Sequence, residues 1–328
     1  MRAPAFWDRP PGLAAWLLSP LGALYAQATR RRLARGPRHK LPVPVICVGN
    51  LTAGGAGKTP TVIALVQRLT ERGMAAQIVS RGYGGRTKAP LRVDARRHKA
   101  DMVGDEPLLL AAFAPVWVGE DRLATARAAA EDGAQVILLD DGYQDPSLAH
   151  DLSLVVADAE TGFGNGFCLP AGPLREPVAV GLGRADLLLT IGAPAAQARF
   201  DSVWGARITT PRLQGQLAPL QMGFDWDGHR VFAFAGIGRP QKFFDTLSAL
   251  GADVVGAQAL DDHQPLAPAL LARLEAEALA RGAQLVTTEK DAVRLPASFL
   301  PKVMVLPVRL ELDDATLLDA ALDRIISG

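Results

Sequence analysis

Residues 43–59 read VPVICVGNLTAGGAGKT, and no other stretch restricts the fold so tightly. A short apolar run stops at a glycine-rich loop, and the loop closes on Gly57-Lys58-Thr59 just as a helix-forming sequence begins. Glycines free the backbone to turn its N–H groups inward around a polyphosphate, and a helix N-terminus adds its positive dipole end. Lys58 supplies a point charge for the β- and γ-phosphates, and the Thr59 hydroxyl is placed for Mg²⁺. Pro60 fits the first turn of the expected helix 58–72, where N–H groups have no helical partner to lose.

Thr52 stands where the first glycine of G-x-x-x-x-G-K-[ST] is expected, so the loop resembles the x-G-G-x-G-K-T variant of nitrogenase iron protein and partitioning ATPases. Many of those carry a lysine at the position of Ala53. The nucleotide-contacting set is therefore Thr52, Ala53, Gly54, Gly55, Ala56, Gly57, Lys58 and Thr59. Guanine is usually read by Asn-Lys-x-Asp, and neither Asn50 nor Asn165, the two asparagines present, begins that motif. ATP is the expected nucleotide.

At 328 residues, 49% hydrophobic and 21% charged, the chain is long enough for two packed domains. From residue 43 onward short β-rich runs alternate with helical patterns, the signature of βαβ units and a mainly parallel sheet. Strands are expected at 43–48, 76–80, 136–140, 152–157 and 186–191, with helices at 58–72, 106–112 and 122–132. A second alternation begins near residue 230, with strands at 231–235, 254–257, 284–288 and 303–307 and helices at 241–250, 267–281 and 315–326. The predicted fold is α/β: a P-loop NTPase-like core over 41–200, a linker over 201–229 and a smaller C-terminal α/β lobe over 230–328.

The net charge of +1 is unevenly spread. Residues 1–40 hold eight basic side chains against Asp8 alone, so the remainder is net acidic and offers no broad surface for nucleic acid. Ahead of the Arg30–Arg32 cluster lies an apolar stretch, 6–25, interrupted by Pro10, Pro11 and Pro20. Charges behind the apolar run do not suit a secretory signal, and the prolines argue against a bilayer-spanning helix. The composition favours a helix lying on an anionic membrane surface over one packed on the protein's own core. With two cysteines, Cys47 and Cys168, neither a disulfide framework nor a four-cysteine zinc site is available, and a reducing compartment is the natural setting.

Four apolar residues run into Asp140-Asp141, which supplies the strand-end carboxylate that a P-loop site needs for Mg²⁺. Gly104-Asp105-Glu106-Pro107 sets two acids at a helix start; helix-dipole complementation and a general base for a hydroxyl nucleophile both explain them. His263, in LDDHQP, has acidic loop neighbours able to fix its tautomer. Arg81, in SRGYGG, suits an anion-binding turn. Arg175 and Glu176 lie between prolines in a long loop suited to gripping a substrate.

Taken in order, VGNLTAGGAGKTP, SRGYGG, GDEP, VGEDR, LLDDGYQD, GFGNGFCLPAGPLREP, LDDHQP and TTEKD resemble the tetraacyldisaccharide 4′-kinase family of Gram-negative lipid A synthesis, across nearly all of residues 43–291. The resemblance implies ATP-dependent phosphorylation of the 4′-hydroxyl of an acylated glucosamine disaccharide 1-phosphate at the cytoplasmic face of the inner membrane. It further implies that Asp105 and His263 form the base pair, and that Lys58 and Thr59 serve ATP and Mg²⁺ with Asp140 and Asp141 beside the metal. Tyr83, Arg122 and Glu176 are then expected near phosphates and substrate. One position departs: relatives usually read DDGFQH or DDGLQH, and this chain carries Asp145 in place of that histidine. Two rival readings are a membrane-recruited ATPase switch of the partitioning kind and a soluble P-loop kinase or ligase for a small molecule.

Overall fold

The computed structural model describes residues 4–220, 222–262 and 264–327. Eight strands come from the first two thirds of the chain: β1 (Val45–Gly49), β2 (Ala76–Ser80), β3 (Leu91–Arg92), β4 (Val116–Val118), β5 (Val136–Asp140), β6 (Leu152–Asp158), β7 (Leu187–Ile191) and β8 (Arg212–Pro219). Four more, β9 (Arg230–Ala235), β10 (Asp253–Ala259), β11 (Gln284–Thr288) and β12 (Val303–Leu306), form a separate sheet in the order β10-β9-β11-β12. The last strand, β13 (Val308–Leu312), returns to the first sheet, whose order is β13-β8-β7-β6-β1-β5-β2-β4-β3. From β8 to β4 that sheet is parallel, and only its edge strands β13 and β3 run antiparallel.

The helices are α1 (Leu13–Arg35), ahead of the first strand, α2 (Lys58–Glu71), α3 (Ala100–Val103), α4 (Asp105–Leu110), α5 (Arg122–Glu131), α6 (Val178–Leu182), α7 (Pro194–Trp204), α8 (Pro240–Ala249), α9 (Pro268–Ala280) and α10 (Glu289–Ala292) between strands, and α11 (Thr316–Ser327) after the last. Every residue of β1 and β5 is buried, because helices cover both faces and leave no solvated side to alternate toward. Ile46 and Val48 join Val62, Leu65 and Leu69 of α2 on one face. Val45 and Cys47 join Ala126 and Ala129 of α5 on the other. Because β5 and β6 flank β1 on opposite sides, the strand order reverses at β1, and the crevice beyond its C-terminal end is where such sheets take ligands.

The structure divides the chain differently from the sequence-based boundaries. The expected linker 201–229 contains β8, hydrogen-bonded between β7 and β13. The expected second lobe 230–328 gives up residues 308–327: β13 extends the large sheet, and Leu318 and Leu322 of α11 enter the core beneath α2. Asp319 receives Arg68 and Arg72 at 2.8 Å, and Asp323 receives Arg72 at 2.9 Å.

The N-terminal segment forms one long helix: Pro20 interrupts the apolar run of the sequence, and α1 continues through it. A proline cannot donate to the carbonyl four residues back, and the Ser19 hydroxyl donates to that Trp16 carbonyl at 2.8 Å instead. The small face of α1, Ala15, Gly22 and Thr29, packs inward, and a Cβ on Gly22 would stand 2.8 Å from the Cys168 carbonyl. The opposite face leaves Leu13, Trp16, Leu17, Leu21 and Leu24 in solvent, with Leu17 70% exposed. Among the described residues no helix is long and apolar enough to cross a membrane.

Candidate active site

The glycine-rich loop hangs between β1 and α2, and its shape is fixed from two sides. Asn50, buried at its start, donates through Nδ2 to the carbonyls of Thr52 at 2.8 Å and Gly54 at 3.1 Å. Outside, the Ala53 N–H donates to the Pro173 carbonyl and the Arg175 N–H to the Leu51 carbonyl, both at 2.7 Å. These bonds lash the loop to the 163–177 segment. Gly57 closes the loop at φ 92°, and a Cβ there would meet Ile191 Cδ1 at 2.6 Å, so only glycine suits the position. Lys58 and Thr59 follow as the first residues of α2.

Across from the loop, β5 ends on Asp140, and Asp141 turns away from the strand at φ 55°. Asp140 is buried; Ser80 at the end of β2 donates to its Oδ2 at 3.2 Å, while Oδ1 is buried without a hydrogen-bond partner among the described residues. Burial pushes the Asp140 carboxyl up to about 7, helped by the nearby Glu106 charge and opposed by Lys58. An unpaired buried carboxylate oxygen facing a lysine-bearing phosphate loop is what a divalent cation repairs. The donor set fits Mg²⁺, which binds through one or two carboxylates plus phosphate oxygens and waters. Asp141 sits 3.7 Å from Lys58 Nζ, and Arg175 donates to its two oxygens at 2.8 and 3.2 Å. Burial alone would raise its pKa, but Lys58 and Arg175 outweigh burial and hold it below the usual carboxylate range.

Asp105 is the first residue of α4 and only 4% exposed. Gly104 before it adopts φ 91°, and a Cβ there would lie 2.8 Å from the Tyr83 carbonyl, so glycine lets the SRGYGG and GDEP loops meet. Asp105 Oδ1 accepts from the Glu106 N–H at 3.0 Å, and Arg294 Nε stands 3.9 Å from Oδ2. Arg294 also pairs with Asp291 and donates to the Gln264 carbonyl at 2.9 Å. Lys290 lies 3.2 Å from Glu106 and 3.5 Å from Asp262. The second lobe's 261–264 loop is therefore tied to the start of α4 by residues on both sides of His263, which itself lies outside the described residues. Lys290 and Arg294 received no role from sequence; Lys290 lies in TTEKD, and its use depends on a partner 184 positions away.

Arg81 and Tyr83 extend into solvent from the loop after β2, at the same edge of the sheet. Two residues expected near phosphates and substrate are buried in polar contacts. Glu176 is 1% exposed; Arg184 donates to both its oxygens at 2.7 Å, and Gln144 donates to Oε1 at 3.1 Å. Arg122, 8% exposed at the start of α5, donates to the Asp145 carboxylate and the Asp141 carbonyl, each at 2.8 Å. A proline-bounded motif and a helix-start arginine read alike whether they point outward or inward, and packing decides.

The family model described as tetraacyldisaccharide-1-P 4′-kinase, LpxK, matches residues 14–327. The chain belongs to this family. It is 64% identical to the tetraacyldisaccharide 4′-kinase of Dinoroseobacter shibae, over 99% of this chain and 98% of that protein. It is 53% identical to the protein of that name from Rhodospirillum centenum, over 100% and 98% of the two chains. Among solved structures it resembles LpxK of Aquifex aeolicus in complex with ATP, with a TM-score of 0.75 and 27% identity over 96% of this chain and all of that one. The α/β fold with a large, mainly parallel sheet is common to both.

A pH effect on stability follows from His150, next to this cluster. Burial, with Arg122, Arg184 and Arg38 nearby, lowers its pKa to about 4, although Asp145 opposes the shift. The unfolded chain takes up this proton near the ordinary value of about 6.5, so between there and about 4 the unfolded state binds more protons. Stability is full above that window and falls as pH drops through it, by on the order of 3 kcal/mol. The raised Asp140 carboxyl acts with the opposite sign over the same range, so the His150 contribution is read as a difference: in denaturant unfolding from pH 7.5 to 4.5, His150→Gln will lose less stability, or gain more, than the unaltered chain.

Proposed function

We infer that the chain is an ATP-dependent kinase for the 4′-hydroxyl of a tetraacylated glucosamine disaccharide 1-phosphate. The observation that carries the reading is the convergence, at one edge of the sheet, of a phosphate loop, a strand-end carboxylate with an unpaired oxygen and a buried acid at a helix start. The loop amides and Lys58 bind and orient the β- and γ-phosphates, and Arg175, already beside Lys58 on Asp141, adds charge at their edge. Asp140, Asp141 and the Thr59 hydroxyl would hold Mg²⁺, which when bound neutralises charge on the transferred phosphoryl group. Asp105 accepts the proton of the sugar hydroxyl as its oxygen attacks phosphorus in line with the departing ADP. His263 orients that carboxylate and tunes its proton affinity.

The acceptor is an amphiphile, and the exposed apolar face of α1 is the part of the surface suited to the place where it resides. Trp16 and Leu17 are 60% and 70% exposed, and Arg30, Arg31, Arg32 and Arg35 gather toward the helix's end. A face of that composition suits shallow insertion among anionic headgroups, which supports the reading of a kinase peripheral on the cytoplasmic face of the inner membrane. Trp16→Glu with Leu17→Glu will reduce partition into anionic vesicles by about ten-fold or more, since two buried apolar side chains are lost and two like charges gained. Co-sedimentation reads the effect, and unchanged partition overturns the membrane assignment.

The kinase reading is tested by ADP release with and without the acylated disaccharide 1-phosphate. A kinase releases ADP in proportion to acceptor consumed. An ATPase switch of the partitioning kind hydrolyses at a rate indifferent to it.

A further inference from the structure

Asp145 lies four residues beyond the Asp140–Asp141 turn, and its surroundings give it work. The Asp140–Asp141 turn is gripped from two directions. On the solvent side Arg175 and Lys58 hold the Asp141 carboxylate. From beneath, Arg122 Nη2 donates to the Asp141 carbonyl at 2.8 Å and lies 3.4 Å from that of Asp140. Asp141 has a left-handed φ of 55°, a conformation that a non-glycine residue keeps only where its neighbours enforce it.

Arg122 is itself buried, and a buried guanidinium needs a counter-charge. Asp145 supplies it: Oδ2 accepts from Arg122 Nη1 at 2.8 Å, while Oδ1 accepts from the Ser147 N–H at 2.9 Å. The Asp145 N–H donates to the Gly142 carbonyl at 2.9 Å and closes the same turn. Hydrogen bonds from Ser147 and the Arg122 charge outweigh burial and hold the Asp145 carboxyl below its usual range, so it is ionised at neutral pH. A neutral imidazole at this position would leave Arg122 without that charge.

We propose that Asp145 is a positioning residue, which through Arg122 sets the pose of the Asp140–Asp141 turn for Mg²⁺. The inference rests on the kinase reading above and deepens it. Outer-shell partners of this kind alter metal affinity by about 10- to 100-fold when removed.

The test uses the full chain and a non-hydrolysable ATP analogue, titrating Mg²⁺ while following nucleotide binding by calorimetry. Asp145→Asn keeps the acceptor for Ser147 and removes the charge. Its Mg²⁺ midpoint is expected to rise roughly ten-fold, at the lower end of that range, with Mg²⁺-free nucleotide affinity unchanged. Amide exchange at residues 141–145 is expected to quicken. Asp145→His serves as the second variant should Asp145→Asn not fold, and is expected to shift the midpoint in the same direction. An unchanged midpoint in the folded variants overturns the proposal, as does equal loss of nucleotide affinity with and without Mg²⁺. Unaltered protein whose nucleotide binding ignores Mg²⁺ defeats the kinase reading itself, and this inference with it.

Discussion

Asp105→Asn and Asp105→Ala will turn over roughly 10²- to 10⁴-fold more slowly at saturating ATP, the range for a lost general base, while nucleotide affinity stays nearly constant. Asp105 lies at the start of α4, outside the 50–59 loop, so its removal leaves the phosphate cradle intact. A step that loses only its proton acceptor falls in kcat without a matching rise in the KM for ATP. Asp105→Asn is the sharper variant because it keeps the shape and the acceptor for the Glu106 N–H while losing the base. Single-turnover kinetics with acylated acceptor give the number. Near-normal rates in both variants would remove Asp105 from the mechanism and leave Glu106, 3.2 Å from Lys290, as the neighbouring acid to test.

Ending the chain after Pro307 will abolish ATP binding, although it removes nothing near the phosphate loop. The deleted residues supply β13, paired to β8 from Val308 to Leu312, and α11, whose Leu318 and Leu322 are buried against the α2 face. Leu318→Ala and Leu322→Ala will each lose about 2–5 kcal/mol, as buried leucines do when a cavity replaces them. Against a total of roughly 5–15 kcal/mol, losing both with the strand and the Arg68–Asp319 pair leaves too little to hold α2 on the sheet. Denaturant unfolding monitored by nucleotide fluorescence reads both effects. A truncated chain that still binds ATP normally would show that the second lobe alone depends on this tail.

Much of the nucleotide half was legible in sequence because its signals are local. A strand, a glycine loop and a helix start stand side by side at 45–59, and the β5 run ends on Asp140 within five residues. What escaped depends on partners far along the chain. The segment RLQGQLAP reads as an extended strand in a hinge, and its place in the large sheet depends on β7 and β13 flanking it. How α1 continues through Pro20 shows only once Ser19 is seen to satisfy the Trp16 carbonyl. Arg122 and Glu176 carry the residue types of a phosphate or substrate site, and their burial against Asp145 and Arg184 is not visible in any local pattern. Lys290 joins Glu106 to Asp262 across the two lobes, a bridge that no sequence window contains.

The central claim is that a phosphoryl group held over Lys58 is passed to a sugar hydroxyl. Incubation with ATP and tetraacylated glucosamine disaccharide 1-phosphate, followed by mass spectrometry and ³¹P–¹H correlation of the recovered lipid, tests it most directly. The account predicts a single added phosphate on the 4′-oxygen, matched mole for mole by ADP. Inorganic phosphate released beside unmodified lipid, or a phosphate on any other hydroxyl, would contradict it.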